Sequence, residues 1–501
     1  MKRKTILLFL LTLLIPMFFL LSSCFGQIEV EPKIEVTPDS SFRFEMTTTK
    51  TGYMVNKFIG TESKVRIPEK YNDKPVIYIL SEAFANNDVI EEIVIPNTII
   101  DMWGAVFKGC TNLTKVTIPA SVKSIAPITF QDCVGLETIN VEKDNPNYRS
   151  IDGAVYSKDG KTLIIYPAGK TGKINFNKGI TKIDDAAFRT CKTLTTITIP
   201  SSVMEIGRGV FALCDKLKEI NIDKKNANYK SVDGVVYSKD GETLIYCPEG
   251  KTGEYIIETG VTSIDNYALS YCKKLTKVVL PLGVKKIGPS AFVGCSGLEE
   301  MIIPETTVLI DTNAFTGCTS LTEITIPANV KKIENSVFLG CSSLENINVD
   351  NNNLNYKSID GALYSKDGKD LLTYPAGKTG VEYTVETGTI RLASCSFNDC
   401  LNLIKITIPA SVEFIGQAIF AGCSNLEVIN VDKDNERYKS VDGVVYSKDG
   451  TSLDFCPSGK KGDLIIEEGV TRIFVINCSK LEKDNNPKNC NKFKLFRIFW
   501  L

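Results

Sequence analysis

The side chains of this chain that could do chemistry are cysteines and carboxylates. Sixteen cysteines are present and histidine is absent. Without imidazole there is no Ser-His-Asp or Cys-His nucleophile system, no imidazole acid/base step and no His-ligated metal. Ten cysteines share one register: Cys110, Cys133, Cys191, Cys214, Cys272, Cys295, Cys318, Cys341, Cys400 and Cys423. They could form a ladder of disulfides or metal sites, or a row of small buried side chains in a tight inner turn. Export would permit disulfides. Bridging needs converging Cβ vectors, which stacked equivalent residues lack, and no CxxC pair gives zinc spacing. The pattern therefore favours buried free thiols. Stretches rich in Asp and Asn, such as EKDNPNY and DKDNERY, offer oxygens for Ca²⁺. They lack the twelve-residue loop with its terminal Glu, and Asn and Asp are ordinary turn formers. The 59 acids leave a carboxylate-dependent glycan hydrolase open, but no acid pair stands apart from the surrounding pattern. The expectation is a protein that is no enzyme and needs no cofactor. Net charge is -1, which gives no basic footprint for nucleic acid.

Cys24 stands apart from the other cysteines. Lys2, Arg3 and Lys4 precede an uncharged run from Ile6 to Leu21, and Leu21-Ser22-Ser23-Cys24 follows. The run is shorter than the ~20 residues of a membrane span and has the flanks of a secretory signal. Its end resembles the bacterial lipobox, in which the chain is cut before the Cys and the thiol carries lipid. Residues 1–23 are expected to be a signal peptide. Cys24 is the expected lipidation site, linking the chain to a membrane through several acyl chains. Residues 24–41, with Pro32 and Pro38 and no sustained period, are expected to be a tether.

The rest of the chain is repetitive. GAVFKGCTNLTKVTIPASVKSI (Gly104 to Ile125) and NAFTGCTSLTEITIPANVKKI (Asn313 to Ile333) share the pattern A/V-F-x-x-C-x-x-L-x-x-I/V-x-I-P-x-x-V-x-x-I. The anchor recurs at Phe84, Phe107 and Phe130, at Phe188 and Phe211, at Leu269, Phe292, Phe315 and Phe338, and at Phe397 and Phe420. Steps within a group are 23 residues and steps between groups are 58 or 59, so a longer unit interrupts a shorter one. Counting the I-x-I elements gives about sixteen turns of a solenoid, each with one short strand in a parallel stack ~75 Å long at about 4.8 Å per strand. No single repeat can bury its apolar side alone. The outer residues of I-x-I should point inward, Pro should end each strand, and Phe and Leu should fill an opposite wall of short turns.

Four longer units contain NYRSIDGAVYSKDGKTLIIYP from Asn147, NYKSVDGVVYSKDGETLIYCP from Asn228, NYKSIDGALYSKDGKDLLTYP from Asn355 and RYKSVDGVVYSKDGTSLDFCP from Arg437. Alternating apolar residues around a Lys-Asp-Gly turn predict an inserted β-hairpin in each. Its turns fall at Asp159-Gly160, Asp240-Gly241, Asp367-Gly368 and Asp449-Gly450.

These units and the interleaved D-G-A/V-V/L-Y-S-K-D-G segments resemble the BspA-like class of leucine-rich repeats. The opening GYMVNKFIGTESKVRIPEKYNDKPVIYILSEAF is similar to that family's amino-terminal entry. The likeness covers residues 50 to 473. It implies a leucine-rich repeat solenoid with a parallel β-sheet on one face, short turns on the other and four inserted β-hairpins. The entry or cap is expected at 42–78 and the solenoid at 79–473. The likeness also implies an exported, lipid-anchored protein of a bacterial surface or outer membrane that binds host extracellular matrix, host cell-surface proteins or other microbes. It brings no catalytic residues. The pattern fails after Ile473: an aromatic anchor is due at 478, and Cys478 stands there. Residues 474–501 are expected to be an irregular cap, a degenerate terminus or the product of a reading-frame change.

The middle residue of each I-x-I should face outward on the sheet. Toward both ends these residues are largely Thr and Asn. At the centre Ile256, Val279 and Ile302 follow one another, rimmed by Lys277, Glu300 and Glu323. Adjacent apolar side chains on an open face with a polar rim suit a partner surface. The alternative is a structural or immune-decoy coat protein without a specific ligand.

Overall fold

A computed structural model describes residues 34–461, 464 and 466–474. The expected signal at 1–23, Cys24, the first part of the tether and the tail past residue 474 lie outside the described residues. From Phe42 the chain winds into a β-solenoid of about eighteen turns, close to the sixteen expected. A 3-10 turn at Asp39–Ser41 is the only helical element among the described residues.

Each rung has three walls. The front wall is the I-x-I strand. In Glu323–Ile326, Ile324 and Ile326 are buried while Glu323 and Thr325 face solvent, as the period of two requires. Pro327 follows and cannot donate to a ladder. The side wall is a second parallel sheet of two-residue strands. Ser263–Ile264, Lys286–Ile287, Leu309–Ile310 and Lys332–Ile333 lie in register, each Ile beneath the next. The V-x-x-I segment thus makes a sheet of its own as it crosses the core. The back wall is the A-F-x-x-C turn, which is also a ladder: Phe292 N donates to Ala314 O at 2.8 Å, and Phe315 N to Val337 O at 3.0 Å. The anchor rings stack behind it, Phe292 on Phe315 at 5.3 Å and Phe315 on Phe338 at 5.9 Å between centroids.

Each inserted unit is a three-stranded meander rather than one hairpin. In the first, Tyr148–Ile151, Ala154–Ser157 and Thr162–Ile165 pair antiparallel in order. The expected turn at Asp159-Gly160 joins the second and third strands. A further turn joins the first and second at Asp152 (φ 50°) and Gly153 (φ 74°), the double positive φ of a type I′ connection. The third strand then pairs in parallel with Lys182–Ile183 and so occupies a side-wall position. Tyr166 follows in the anchor position, donating its N–H to Ala187 O at 2.8 Å and packing on Phe188 at 4.9 Å. The longer unit is therefore an ordinary rung with two strands added before its side wall.

The middle strand of each meander crosses the interior and divides it. Val155 packs with the residues before it, and Ala154 and Tyr156 with those after it. The same alternation recurs at Val236 between Val235 and Tyr237, at Leu363 between Ala362 and Tyr364, and at Val445 between Val444 and Tyr446. The period of two that makes a sheet two-faced here gives each face a separate core.

At the amino end Phe42–Met46 pairs antiparallel with Tyr53–Phe58, which pairs in parallel with Lys74–Ile79. Phe42, Phe58 and Phe84 cover the first core layer with rings 5.4 to 6.5 Å apart. Contacts with the fold reach back before residue 42: Thr37 donates its N–H to Arg66 O at 3.0 Å, and its Oγ1 accepts from Arg66 N at 2.9 Å.

Candidate functional site

The front wall is built from Gly253–Ile256, Leu275–Val279 and Glu300–Ile302 at the centre of the solenoid. Their register sets Ile256 beside Val279 and Val279 beside Ile302. Ile256 is 66 % exposed and Ile302 52 %, while Val279 between them is half-buried. Tyr255, Val278 and Met301 alternate with them and are buried. The three outward residues thus form one aliphatic row across three strands. At its edge Lys277 faces Glu254 on one side and Glu300 on the other. Lys277 Nζ lies 2.9 Å from the Glu300 carboxylate, and that bond holds the Lys277 ammonium above its ordinary range. Glu323 is exposed and opens the next strand, which pairs onward with Asn346–Val349 rather than back to Glu300–Ile302. Leu282, 81 % exposed just beyond Val279, adds apolar surface that the I-x-I pattern does not reveal. Its signal was in the I-P-x-x-V segment, where other rungs carry Ala120, Ser201, Glu305, Ala328 or Ala410.

The cysteine row serves the backbone. The ten cysteines of the row, with Cys247 and Cys395, are free thiols. Cys133 Sγ donates to Phe107 O at 2.9 Å, Cys295 to Leu269 O at 3.0 Å, and Cys341 to Phe315 O at 3.1 Å. Each of these three thiols gives a second donor to the anchor carbonyl of the rung before it, an oxygen that already accepts the N–H three residues on, as Phe107 O does from Cys110 N at 3.1 Å. A methyl of similar size could fill the space but not make that bond. Burial pushes the Cys341 thiol up to about 12, so it stays protonated and unreactive.

The Asp/Asn-rich stretches also have a structural use. Asn145 is fully buried. Its Nδ2 donates to Pro119 O and Val122 O at 2.9 and 3.0 Å, and its Oδ1 accepts from Asn147 N and Tyr148 N, both at 2.9 Å. Asn226, Asn353 and Asn435 repeat this at the other meanders. These amides are spent on the chain itself and leave no oxygen for a cation.

One buried acid escaped sequence reasoning. In three of the long units the residue after the conserved Pro is small: Ala168, Ala376 and Ser458. The second unit has Glu249, 4 % exposed, with Oε1 accepting from Leu213 N at 2.7 Å. In an ordinary rung that N–H bonds the next rung, as Gly109 N does to Gln131 O at 2.8 Å. A meander removes the acceptor. Thr190 Oγ1 replaces it for Asp132 N at 3.1 Å, and Glu249 replaces it for Leu213 N. Burial pushes the Glu249 carboxyl up to about 7, opposed by the Leu213 N–H.

The profile of the BspA type leucine rich repeat region matches residues 77–171, 165–233, 249–366 and 381–442, in six copies. The chain belongs to the BspA-type leucine-rich repeat family. Among solved structures this BspA-type chain resembles a leucine rich cell surface protein of Faecalibacterium prausnitzii, with 21 % identity over 90 % of this chain and 89 % of that one and a TM-score of 0.27. It also resembles the pneumococcal vaccine antigen PcpA (20 %, 76 % and 98 %, TM-score 0.39) and a leucine-rich repeat protein of Eubacterium ventriosum (21 %, 79 % and 90 %, TM-score 0.39). No curated protein matches. The BspA-type assignment accounts for the repeat and the meanders together.

Proposed function

We propose that this BspA-type chain is a non-enzymatic binding module displayed on a bacterial surface, held there by lipid on Cys24, and that its partners are host matrix proteins, host cell-surface proteins or other microbes. The observation that carries the reading is the row Ile256, Val279 and Ile302. It is aliphatic and laterally registered on a face whose other outward residues include Thr117, Thr198, Thr325, Thr384 and Thr407. Apolar side chains held outward on a rigid sheet lose little entropy when a partner covers them, and the Lys277–Glu300 pair supplies a polar rim.

The test exchanges Ile256, Val279 and Ile302 together for Thr, the residue the same sheet uses elsewhere. Binding of the purified protein to immobilised host matrix proteins should fall at least tenfold, with the β-sheet circular dichroism and melting curve retained. Undiminished binding would refute the row as the contact surface. Absence of binding by the unchanged protein would favour a coat protein without a ligand. The anchor is tested separately by fatty-acid labelling of cells expressing the native chain or Cys24→Ser: label should enter only the native chain.

A further inference from the structure

The front sheet has a vacant strand position after the first meander. In the second and third long units the chain re-enters the front wall as a strand. Gly253–Ile256 pairs with Leu275–Val279, and Glu382–Thr384 with Lys405–Ile408. These strands are held from inside by a tyrosine pair: Tyr255 Oη lies 2.6 Å from Tyr237 Oη, and Tyr383 Oη 2.7 Å from Tyr364 Oη. In the first unit Ile174 stands where those units have Tyr255 and Tyr383. An aliphatic side chain cannot make the bond, and Tyr156 Oη instead meets Asn177 N at 3.4 Å. Residues 172–176 form no strand, and among the described residues no backbone hydrogen bond joins them to Thr196–Ile199.

The edge of Thr196–Ile199 is therefore unpaired on that side. Elsewhere the first N–H groups of a front strand donate to the rung before. Ile404 N and Lys405 N both donate to Val381 O, at 2.8 and 3.1 Å, and Thr407 O accepts from Val385 N at 3.0 Å. The equivalent Thr195 N, Thr196 N and Thr198 O have no such partners. A groove of about 470 Å³ lies along this edge, lined by Lys173, Ile174, Leu194, Thr196, Ile197 and Thr198 among others.

We propose that this groove receives an extended polypeptide segment of a partner, which adds a parallel strand to the edge of Thr196–Ile199. The choice of occupant follows from the sister sites, where the same position is filled by a polypeptide strand and by nothing else. Main-chain bonds to Thr195, Thr196 and Thr198 would supply affinity, as in strand addition to other open edges. Alternate side chains of the segment would point into the groove, where a tyrosine could reach Tyr156 as Tyr255 reaches Tyr237. The site is distinct from the aliphatic row at Ile256, Val279 and Ile302.

The probe is the end-capped hexapeptide Gly-Glu-Tyr-Ile-Ile-Glu, the sequence of Gly253 to Glu258. Amide hydrogen exchange of the full protein is followed with and without it. Without peptide, Thr195 and Thr196 should exchange at least tenfold faster than Ile404 and Lys405. Millimolar peptide should slow them at least fivefold, and a peptide with Pro in place of its second Ile, the residue whose N–H donates to Val279 O in its own rung, should not. In Ile174→Tyr, which restores the inner tyrosine, Thr195 and Thr196 should be protected without peptide and the peptide should no longer add protection. Equal protection of Thr195 and Ile404 in the free protein would overturn the proposal, because the position would already be filled. Failure of the peptide to protect Thr195 and Thr196 in the native protein would also overturn it, whether or not Ile174→Tyr folds.

Discussion

Replacing Glu249 by Gln should make the protein more stable, by an amount that grows from about pH 4.5 and levels off above about pH 7. Gln keeps an oxygen for Leu213 N but never ionises. The native carboxyl is pushed from 4.5 up to about 7 in the fold, so the folded state favours its protonated form. For an acid whose folded value is raised, stability is intact below the unfolded value and is lost as pH climbs toward the folded one. The window here runs from about pH 4.5 to about pH 7. At about 1.36 kcal/mol per unit, the separation of roughly 2.5 units is worth ~3 kcal/mol once both states are ionised, with ~0.4 kcal/mol already lost at pH 4.5. Urea unfolding of the native chain and Glu249→Gln at pH 4.5 and pH 8 is the assay, followed by far-UV circular dichroism. The two should differ by less than ~1 kcal/mol at pH 4.5, with the variant more stable by ~3 kcal/mol at pH 8. A difference that does not change with pH would refute the argument, since it would show a carboxyl free to hydrate or to ionise without penalty.

Further outcomes follow from the same geometry. Asn353→Ala should cost on the order of 3 kcal/mol in urea unfolding, because it strands the Asn355 and Tyr356 N–H groups and takes one of two donors from each of the Pro327 and Val330 carbonyls. Asn351→Ala, on the exposed side of the same loop, should change stability by less than about 0.5 kcal/mol. The repeat thiols should resist alkylation in the native protein and all react in denaturant without reductant; blocked thiols would contradict the free ladder. Cys318→Ala should lower stability by about 1 kcal/mol through loss of the sulfur's packing and of its bond to Phe292 O, which keeps the Cys295 N–H.

The front wall was legible because I-x-I repeats at 23 residues and each Ile has one face to bury. The side wall was not. Its strands are two residues long, too short to show alternation, and only parallel stacking makes Lys286–Ile287 and Lys332–Ile333 a sheet. The first turn of each meander, Asp152-Gly153, lay inside the same alternating run that revealed the second at Asp159-Gly160. The cysteines were correctly placed as buried, but the reason for sulfur rather than a methyl is the carbonyl of another rung, which has no signature near Cys133 or Cys295. Glu249 broke a pattern of Ala168, Ala376 and Ser458, and that was its one visible trace. The aliphatic row could be read in advance because parallel register makes equivalent positions neighbours. The vacancy beside Thr196–Ile199 needed three copies of one unit to be compared.

The partition strands have a mechanical consequence. Because Val155, Val236, Leu363 and Val445 face one core while their neighbours face the next, no apolar cluster among the described residues runs the length of the solenoid. A linear array whose coupling is carried by nearest neighbours opens where that coupling is weakest. Pulled from its ends, as a tethered protein under flow would be, this chain should yield one compartment at a time. Extension would come in steps of about one long unit with its attendant rungs, and each step would dissipate work while the remaining compartments keep their front sheets intact.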